Sequence, residues 1–256
     1  MTSPNRFSLS GKTALVTGAG VGIGRATALA LAEAGAFVGI HYRKSEAEAR
    51  SALEAVRAVG ADGMLLQADL TQEDAAYSVV DRLMAKSGRL DILVNNAGAL
   101  IRRARIEECT LEDWHRTMDA NMTSAFLVTK RAIPHLRASG SGRIVNILSL
   151  SVQTGGANGG GSYAAAKGAL AVFTRTLARE LAPEVRTNSI CPGVIETAHH
   201  AVHTKPERMA EYRRETPLGR NGSADEVAMA VLYLVSDAGA FTNGALIDVN
   251  GGRFLR

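Results

Sequence analysis

Cysteine is nearly missing from this chain: Cys109 and Cys191 are the two present in 256 residues. They lie far apart and form no metal-ligand spacing, so the expectation is two reduced thiols and neither a disulfide framework nor a cysteine-held metal. Aromatic residues make up 5 % and tryptophan occurs once. With Ala, Gly and Val abundant, that scarcity suits close packing of helices on a sheet. No Pro- or Ser-rich linker and no charge block divides the chain, so residues 1–256 are expected to form a single domain. A domain of this size buries roughly three quarters of the surface its unfolded chain exposes. No apolar run approaches the length of a membrane span. Met1–Ser10 is polar and lacks the apolar stretch of a secretion signal. The expectation is a cytoplasmic protein with no membrane partner.

Lys and Arg exceed Asp and Glu by four, 29 against 25, but the charges are scattered. The densest group, Arg102-Arg103-Ala104-Arg105, has no aromatic residues between its members, so no nucleic-acid partner is expected. These arginines could instead attract an acidic substrate or a carrier protein, or be solvated. The modest positive field suits a site for a phosphorylated cofactor.

What the sequence does have is alternation. Short apolar runs at Lys12–Thr17, Phe37–His41, Met64–Gln67, Ile92–Val94, Ile144–Leu148, Thr187–Ile190 and Leu246–Val249 read as strands. Ile23–Ala34, Glu46–Val59, Gln72–Lys86, Ser162–Leu181 and Ala224–Val235 read as helices. Trp114 falls in a helical pattern with Leu111 and Met118 and reads as packing. Strand–helix alternation implies right-handed parallel crossovers, hence a doubly wound α/β sheet of seven parallel strands with helices on both faces. Residues 196–217 interrupt this order with a charged insertion carrying His199, His200 and His203, expected to be a substrate lid. No Glu or Cys completes a ligand set with those histidines, so no metal is expected. The glycine concentration Gly155–Gly161 reads as a mobile loop.

Three motifs carry chemistry. Gly18, Gly22 and Gly24 follow the first strand and open the first helix. Glycine there lets a phosphate approach the backbone, and the helix start offers free N–H groups and positive dipole. Asn95-Asn96-Ala97-Gly98 follows the fourth strand, where it either lines a ligand crevice or is a turn chosen for its backbone preferences. Tyr163 and Lys167 stand four residues apart on a helix, with their Cβ atoms about 5–6 Å apart. An ammonium there favours the ionised phenol, so the spacing predicts a lowered tyrosine pKa. Ser149, at the end of the fifth strand, is suited to hold a substrate oxygen, with Ser151 as the alternative.

Together these residues resemble the short-chain dehydrogenase/reductase family over essentially the whole chain, Gly11 to Gly252. Thr17–Gly24 is similar to its TGxxxGxG turn, Asn95–Gly98 to its NNAG, and Tyr163/Lys167 to its YxxxK. Asn121 falls on its helix asparagine, Pro192-Gly193 on its PG turn, and Asp69 on the acid that meets the adenine ring. Asp248-Val249-Asn250-Gly251-Gly252 resembles the C-terminal signature of 3-oxoacyl-[acyl-carrier-protein] reductase-like and sugar or polyol dehydrogenase-like members. The stretch from Ser149 to Tyr163 is one residue longer than usual there.

The resemblance implies a Rossmann fold and a homotetramer. It implies cofactor contacts from Gly18, Gly22, Ile23, Gly24, Tyr42, Arg43, Lys44, Ser45, Asp69, Leu70, Asn95, Ala97, Gly98, Tyr163, Lys167, Pro192, Gly193, Ile195 and Thr197. Catalysis would fall to Ser149, Tyr163, Lys167 and Asn121. No carboxylate ends the second strand before Glu46. Arg43 and Lys44 stand there instead, which favours NADP(H) over NAD(H) unless they are only solvated loop ends. The expected substrate is a small carbonyl or alcohol. An NAD-dependent sugar or polyol dehydrogenase is the second reading, and a cofactor-binding regulator without turnover the third.

Overall fold

The computed structural model describes residues 5–156, 158–197 and 206–255. Seven strands, β1 (Thr13–Val16), β2 (Phe37–Tyr42), β3 (Gly63–Gln67), β4 (Ile92–Asn95), β5 (Gly142–Ile147), β6 (Val185–Pro192) and β9 (Leu246–Val249), form one sheet in the order β3-β2-β1-β4-β5-β6-β9. Every pairing is parallel. The order reverses beside β1, which pairs with β2 on one side and β4 on the other. The crevice above the carboxyl ends of β1 and β4 is therefore the switch point where such sheets bind ligands. The central strands are buried along their whole length, which is why they read as unbroken apolar runs.

One face is covered by α1 (Gly22–Glu33), α2 (Glu46–Ala58) and α9 (Ala224–Val235). The small residues Ala28 and Ala32 of α1 are buried in that cluster with Val227 and Val231 of α9. Ser223 caps α9: its hydroxyl accepts from the Glu226 amide at 3.3 Å, and its own amide donates to the Glu226 carboxylate at 2.8 Å, a reciprocal capping box. The other face is covered by α3 (Glu73–Ser87), α5 (Ser124–Ala138) and α7 (Gly161–Glu180). Cys191 is buried and Cys109 partly so, and the two are not joined in a disulfide. No described helix is long and apolar enough to cross a membrane.

The rim at the strands' amino ends is built from ion pairs. Asp91, 1 % exposed on its side chain, lies 2.6 Å from Arg89 and 3.3 Å from Lys12, and accepts the Thr13 amide at 2.9 Å. Arg186, at the start of β6, donates to the carbonyls of Thr242, Leu234 and Ser236.

Residues 111–138 differ from the sequence expectation, which assigned no helix beyond a local pattern around Trp114. Here α4 (Leu111–Met118) runs through a single π turn, Asp119–Thr123, into α5. A π turn inserts one residue into the helical repeat. The apolar stripe changes phase there, so no single 3.6-residue period spans the segment. The insertion at 196–217 also holds regular structure: β7 (Ile195–Glu196) pairs with β8 (Gly222–Ser223), and α8 covers Pro206–Glu215. Between α5 and α7, α6 (Ser151–Thr154) adds a single turn.

Candidate active site

The glycine turn between β1 and α1 is gripped from both flanking strands. Gly18 and Gly22 adopt φ of +64° and +55°, where a side chain would be strained. From the β4 side, the Asn96 side-chain amide donates to the carbonyls of Thr17 (2.9 Å) and Gly18 (3.1 Å). The amides of Asn96 and Ala97 donate to the Thr17 hydroxyl at 3.0 and 2.9 Å. From the β2 side, the Gly18 amide donates to His41 Nδ1 at 3.0 Å. A Cβ on Gly24 would overlap the Gly18 carbonyl oxygen, so helix and turn meet closely only because that residue is glycine. No side chain caps α1 and its first turn holds no acidic residue. Its open amides therefore face the crevice with the dipole intact.

Several expected cofactor residues gather around this turn. Thr197 Cγ2 lies 3.4 Å from where a Gly22 Cβ would stand, and Ser45 Oγ 3.1 Å from the same point on Gly20. Arg43 Nη1 lies 3.6 Å from an oxygen of Asp69, with both side chains about half exposed. Burial alone would raise the Asp69 pKa, but hydrogen bonds from the Thr71 hydroxyl and amide, with the Arg43 charge, hold it below the usual carboxylate range. Leu70 and Ile195 are buried. Gly193 donates its amide to the Val249 carbonyl at 2.9 Å, and a Cβ on it would lie 2.8 Å from Asn250 Cα. Pro192, at the end of β6, accepts the Leu150 amide at 2.9 Å.

The side chains of two further expected cofactor residues are engaged elsewhere in the fold. The Tyr42 ring is buried in the core cluster of the α1 face. Asn95 turns inward, donating to the Thr129 hydroxyl (2.9 Å) and Asn146 Oδ1 (2.8 Å). Because side chains alternate across a strand, Asn95 at the end of β4 faces the helices, and the next residue, Asn96, holds the turn.

The second half of the site joins β5 to α7. Lys167, 2 % exposed, donates to the Ile147 carbonyl at 2.8 Å. The Ser149 side chain lies beside the Tyr163 phenol and acts to lower its pKa, and Ser149 Oγ accepts the Ser151 amide at 3.1 Å. Ser151 instead opens α6, with its hydroxyl buried and unpaired. Asn121, fully buried in the π turn, donates to the carbonyls of Ala99 (2.7 Å) and Thr117 (2.8 Å). Its Oδ1 is buried without a partner. A Cβ on Gly98 would overlap that Oδ1 and lie 3.1 Å from Lys167 Nζ. Gly98 thus keeps open the space between the asparagine and the lysine.

The electrostatics correct the expectation for Tyr163. Burial pushes its pKa up to about 12, against the lowering effect of Ser149, rather than down as the lysine spacing suggests. The ammonium lies 5.7 Å from the ring centroid and points its hydrogen bond at Ile147. Lys167 is itself pushed down to about 8 by burial. Helical spacing brings the two residues together but does not aim the charge at the phenol oxygen.

The glycine-rich segment before Tyr163 makes contact with the loop after β4 at its described residues. Gly155, Gly156 and Gly159 have φ of +75°, +78° and +77°, and the Gly159 carbonyl accepts the Ala104 amide at 3.1 Å. The basic group beside it is engaged: Arg102 pairs with Asp113 and Arg105 with Glu107, each at 2.8 Å, and Arg103 reaches the Asn158 carbonyl at 3.5 Å. His199, His200 and His203 lie outside the described residues.

A glycine turn at an open helix start, with a Ser–Tyr–Lys group at the same carboxyl rim of a parallel sheet, defines a nucleotide-linked oxidoreductase of the Rossmann type. The chain belongs to the short-chain dehydrogenase/reductase family. A family model described as enoyl-(acyl carrier protein) reductase matches residues 18–253. An uncharacterised oxidoreductase of Methylorubrum extorquens is 40 % identical over 247 residues, 95 % of this chain and 98 % of the relative. A 3-oxoacyl-[acyl-carrier-protein] reductase of Aquifex aeolicus is 38 % identical over 247 residues, 96 % of this chain and 98 % of the relative. Among solved structures, a 7α-hydroxysteroid dehydrogenase complexed with NADH and 7-oxo glycochenodeoxycholic acid superposes with a TM-score of 0.92 at 30 % identity, covering 98 % of both chains. A short-chain dehydrogenase of Burkholderia cenocepacia in complex with NADP superposes at 0.88 with 35 % identity, covering 97 % of this chain and 99 % of that one.

Proposed function

We propose that this protein interconverts a ketone and a secondary alcohol with NADP(H), Tyr163 serving as the acid and base. The observation that carries the reading is the group at the sheet's carboxyl rim, where Ser149 stands beside the Tyr163 phenol and the buried Lys167 is fixed on Ile147. The crevice fits a dinucleotide: the uncapped start of α1 suits a pyrophosphate, and Gly98 leaves room beside the unpaired Asn121 Oδ1. Gly18, Gly22 and Gly24 would hold its phosphates, Arg43, Lys44 and Ser45 its adenine-side ribose, and Lys167 its other ribose. Bound there, the nicotinamide supplies or accepts the hydride. Ser149 orients the substrate oxygen. Tyr163, protonated at neutral pH with its pKa near 12, donates to that oxygen as negative charge develops on it. Lys167 sets a positive charge behind the phenol, and Asn121 Oδ1 is free to hold a water between Lys167 and solvent.

Tyr163→Phe is expected to lower turnover at least 100-fold, about 2.7 kcal/mol of barrier, with cofactor affinity almost unchanged. Near-normal turnover in that variant excludes the assignment. NADP(H) is favoured because Arg43 offers a donor fork suited to a 2′-phosphate. The Arg43–Asp69 pair supports the NAD-dependent sugar or polyol reading, because it takes up part of that charge. Calorimetric titration with NADPH and with NADH separates the two. Tight binding of either with no turnover on a broad carbonyl and alcohol panel would point to a regulator. We also infer a cytoplasmic homotetramer from the family resemblance, with α7 and β9 as interface elements.

A further inference from the structure

His41 has no part in the chemistry above, yet it lies 3 % exposed directly behind the glycine turn. Both of its ring nitrogens are committed. Nδ1 faces the Gly18 amide at 3.0 Å and accepts from it, so Nε2, 3.2 Å from the Ala68 carbonyl, carries the proton. Those partners fix a neutral ring in one tautomer. Burial favours the same form. The His41 carbonyl accepts the next amide of the turn, that of Ala19, at 2.8 Å. One residue thus engages two consecutive amides of the turn and ties them to the strand end that carries Asp69.

We propose that His41 is a positioning residue for the phosphate-binding turn, its imidazole bridging the Gly18 amide to the Ala68 carbonyl so that the α1 amides are preset for an anionic dinucleotide. The inference rests on the cofactor reading given above. Asn96 grips the carbonyls of Thr17 and Gly18 from β4, and His41 grips the Gly18 amide from β2. Without the ring, that amide loses its acceptor, and a turn built on glycines at positive φ is free to sample other conformations. Ordering it again then falls on the binding step, which weakens affinity. Ser149, just past β5, and Tyr163 and Lys167, on α7, do not touch this ring, so the chemical step is left as it was.

The test compares wild type, His41→Ala and His41→Asn, by calorimetric titration with NADPH and NADH and by steady-state kinetics. His41→Ala is expected to weaken the preferred dinucleotide at least tenfold and to raise its KM in parallel, with kcat held within about twofold. His41→Asn returns an acceptor to the Gly18 amide and is expected to recover most of that affinity. Where His41→Ala fails to fold, His41→Leu, which fills the space without an acceptor, takes its place in the contrast with His41→Asn. Unchanged cofactor affinity in the acceptor-free variant, a loss confined to kcat, or no recovery in His41→Asn overturns the proposal while wild-type binding keeps the cofactor reading. If wild type binds neither dinucleotide, that reading falls and the proposal falls with it.

Discussion

Replacing Gly24 and Gly168 by alanine sets two physical effects against each other within one protein. Both glycines lie inside helices, α1 and α7, where alanine is favoured over glycine by about 1 kcal/mol. At Gly168 nothing stands within 4 Å of the added Cβ, so Gly168→Ala should gain up to that amount. At Gly24 the Cβ would overlap the Gly18 carbonyl oxygen and lie 2.5 Å from Asn96 Nδ2. The first is backbone and the second is pinned by its own hydrogen bonds, so neither yields easily. Overpacking of this kind costs about 1–3 kcal/mol, and losing the Asn96–Gly18 hydrogen bond adds about 1. Subtracting the helix gain leaves a net loss of about 1–3 kcal/mol, with weaker cofactor binding as the turn is displaced. Urea unfolding of both variants at one protein concentration measures the signs directly. A Gly24→Ala protein as stable as wild type would refute the reasoning, because propensity would then outweigh the close approach.

Acid should expose His41. Its folded-state pKa near 4 lies below the ordinary 6.5, so as pH falls the unfolded chain takes the proton first. Its contribution is complete above pH 6.5 and is lost as pH falls through 4, about 3 kcal/mol over that window. Urea midpoints at pH 7 and pH 4.5 should fall further for wild type than for His41→Asn, and parallel losses would count against a neutral buried ring. Lys167 works in the alkaline range: its pKa of about 8 lies below the ordinary 10.5, so stability should rise from pH 8 to pH 10.5 in wild type but not in Lys167→Met. Ser149→Ala should reduce turnover far more than Ser151→Ala, because Ser149 is the serine beside the Tyr163 phenol; equal kcat losses in the two would undo that choice.

The central strands were legible because they are short, apolar and buried along their whole length. All seven expected runs lie in the sheet, with ends that differ from the sequence reading by no more than a few residues. The α4–α5 rod was not legible, since the π turn at Asn121 breaks the periodicity that reveals a helix. The site followed the same division. Local spacing revealed the Tyr163/Lys167 pair and the glycine turn. Spacing could not show the burial that reverses the direction expected for Tyr163, nor that the Lys167 hydrogen bond goes to Ile147. Nor could it show the roles of Asn96 and His41, because their partners at Thr17, Gly18 and Ala68 lie on other strands. A histidine inside an otherwise uncharged strand and the second asparagine of Asn95-Asn96 were the available signals, and each takes its meaning from the neighbouring strand.

The two rims of the sheet divide the labour of the molecule. Along the strands' amino ends, Asp91 with Lys12 and Arg89, and Arg186 on its three carbonyls, hold the layers together far from the crevice. Along the carboxyl ends stand Gly18, Gly98, Ser149 and the Tyr163/Lys167 pair. A harmful substitution on the first rim should therefore show in cells as less protein with normal specific activity. One on the second should show as normal amounts of an idle enzyme. Selection acting on dosage and selection acting on chemistry thus meet separate sets of residues, and either rim can change without the other having to follow.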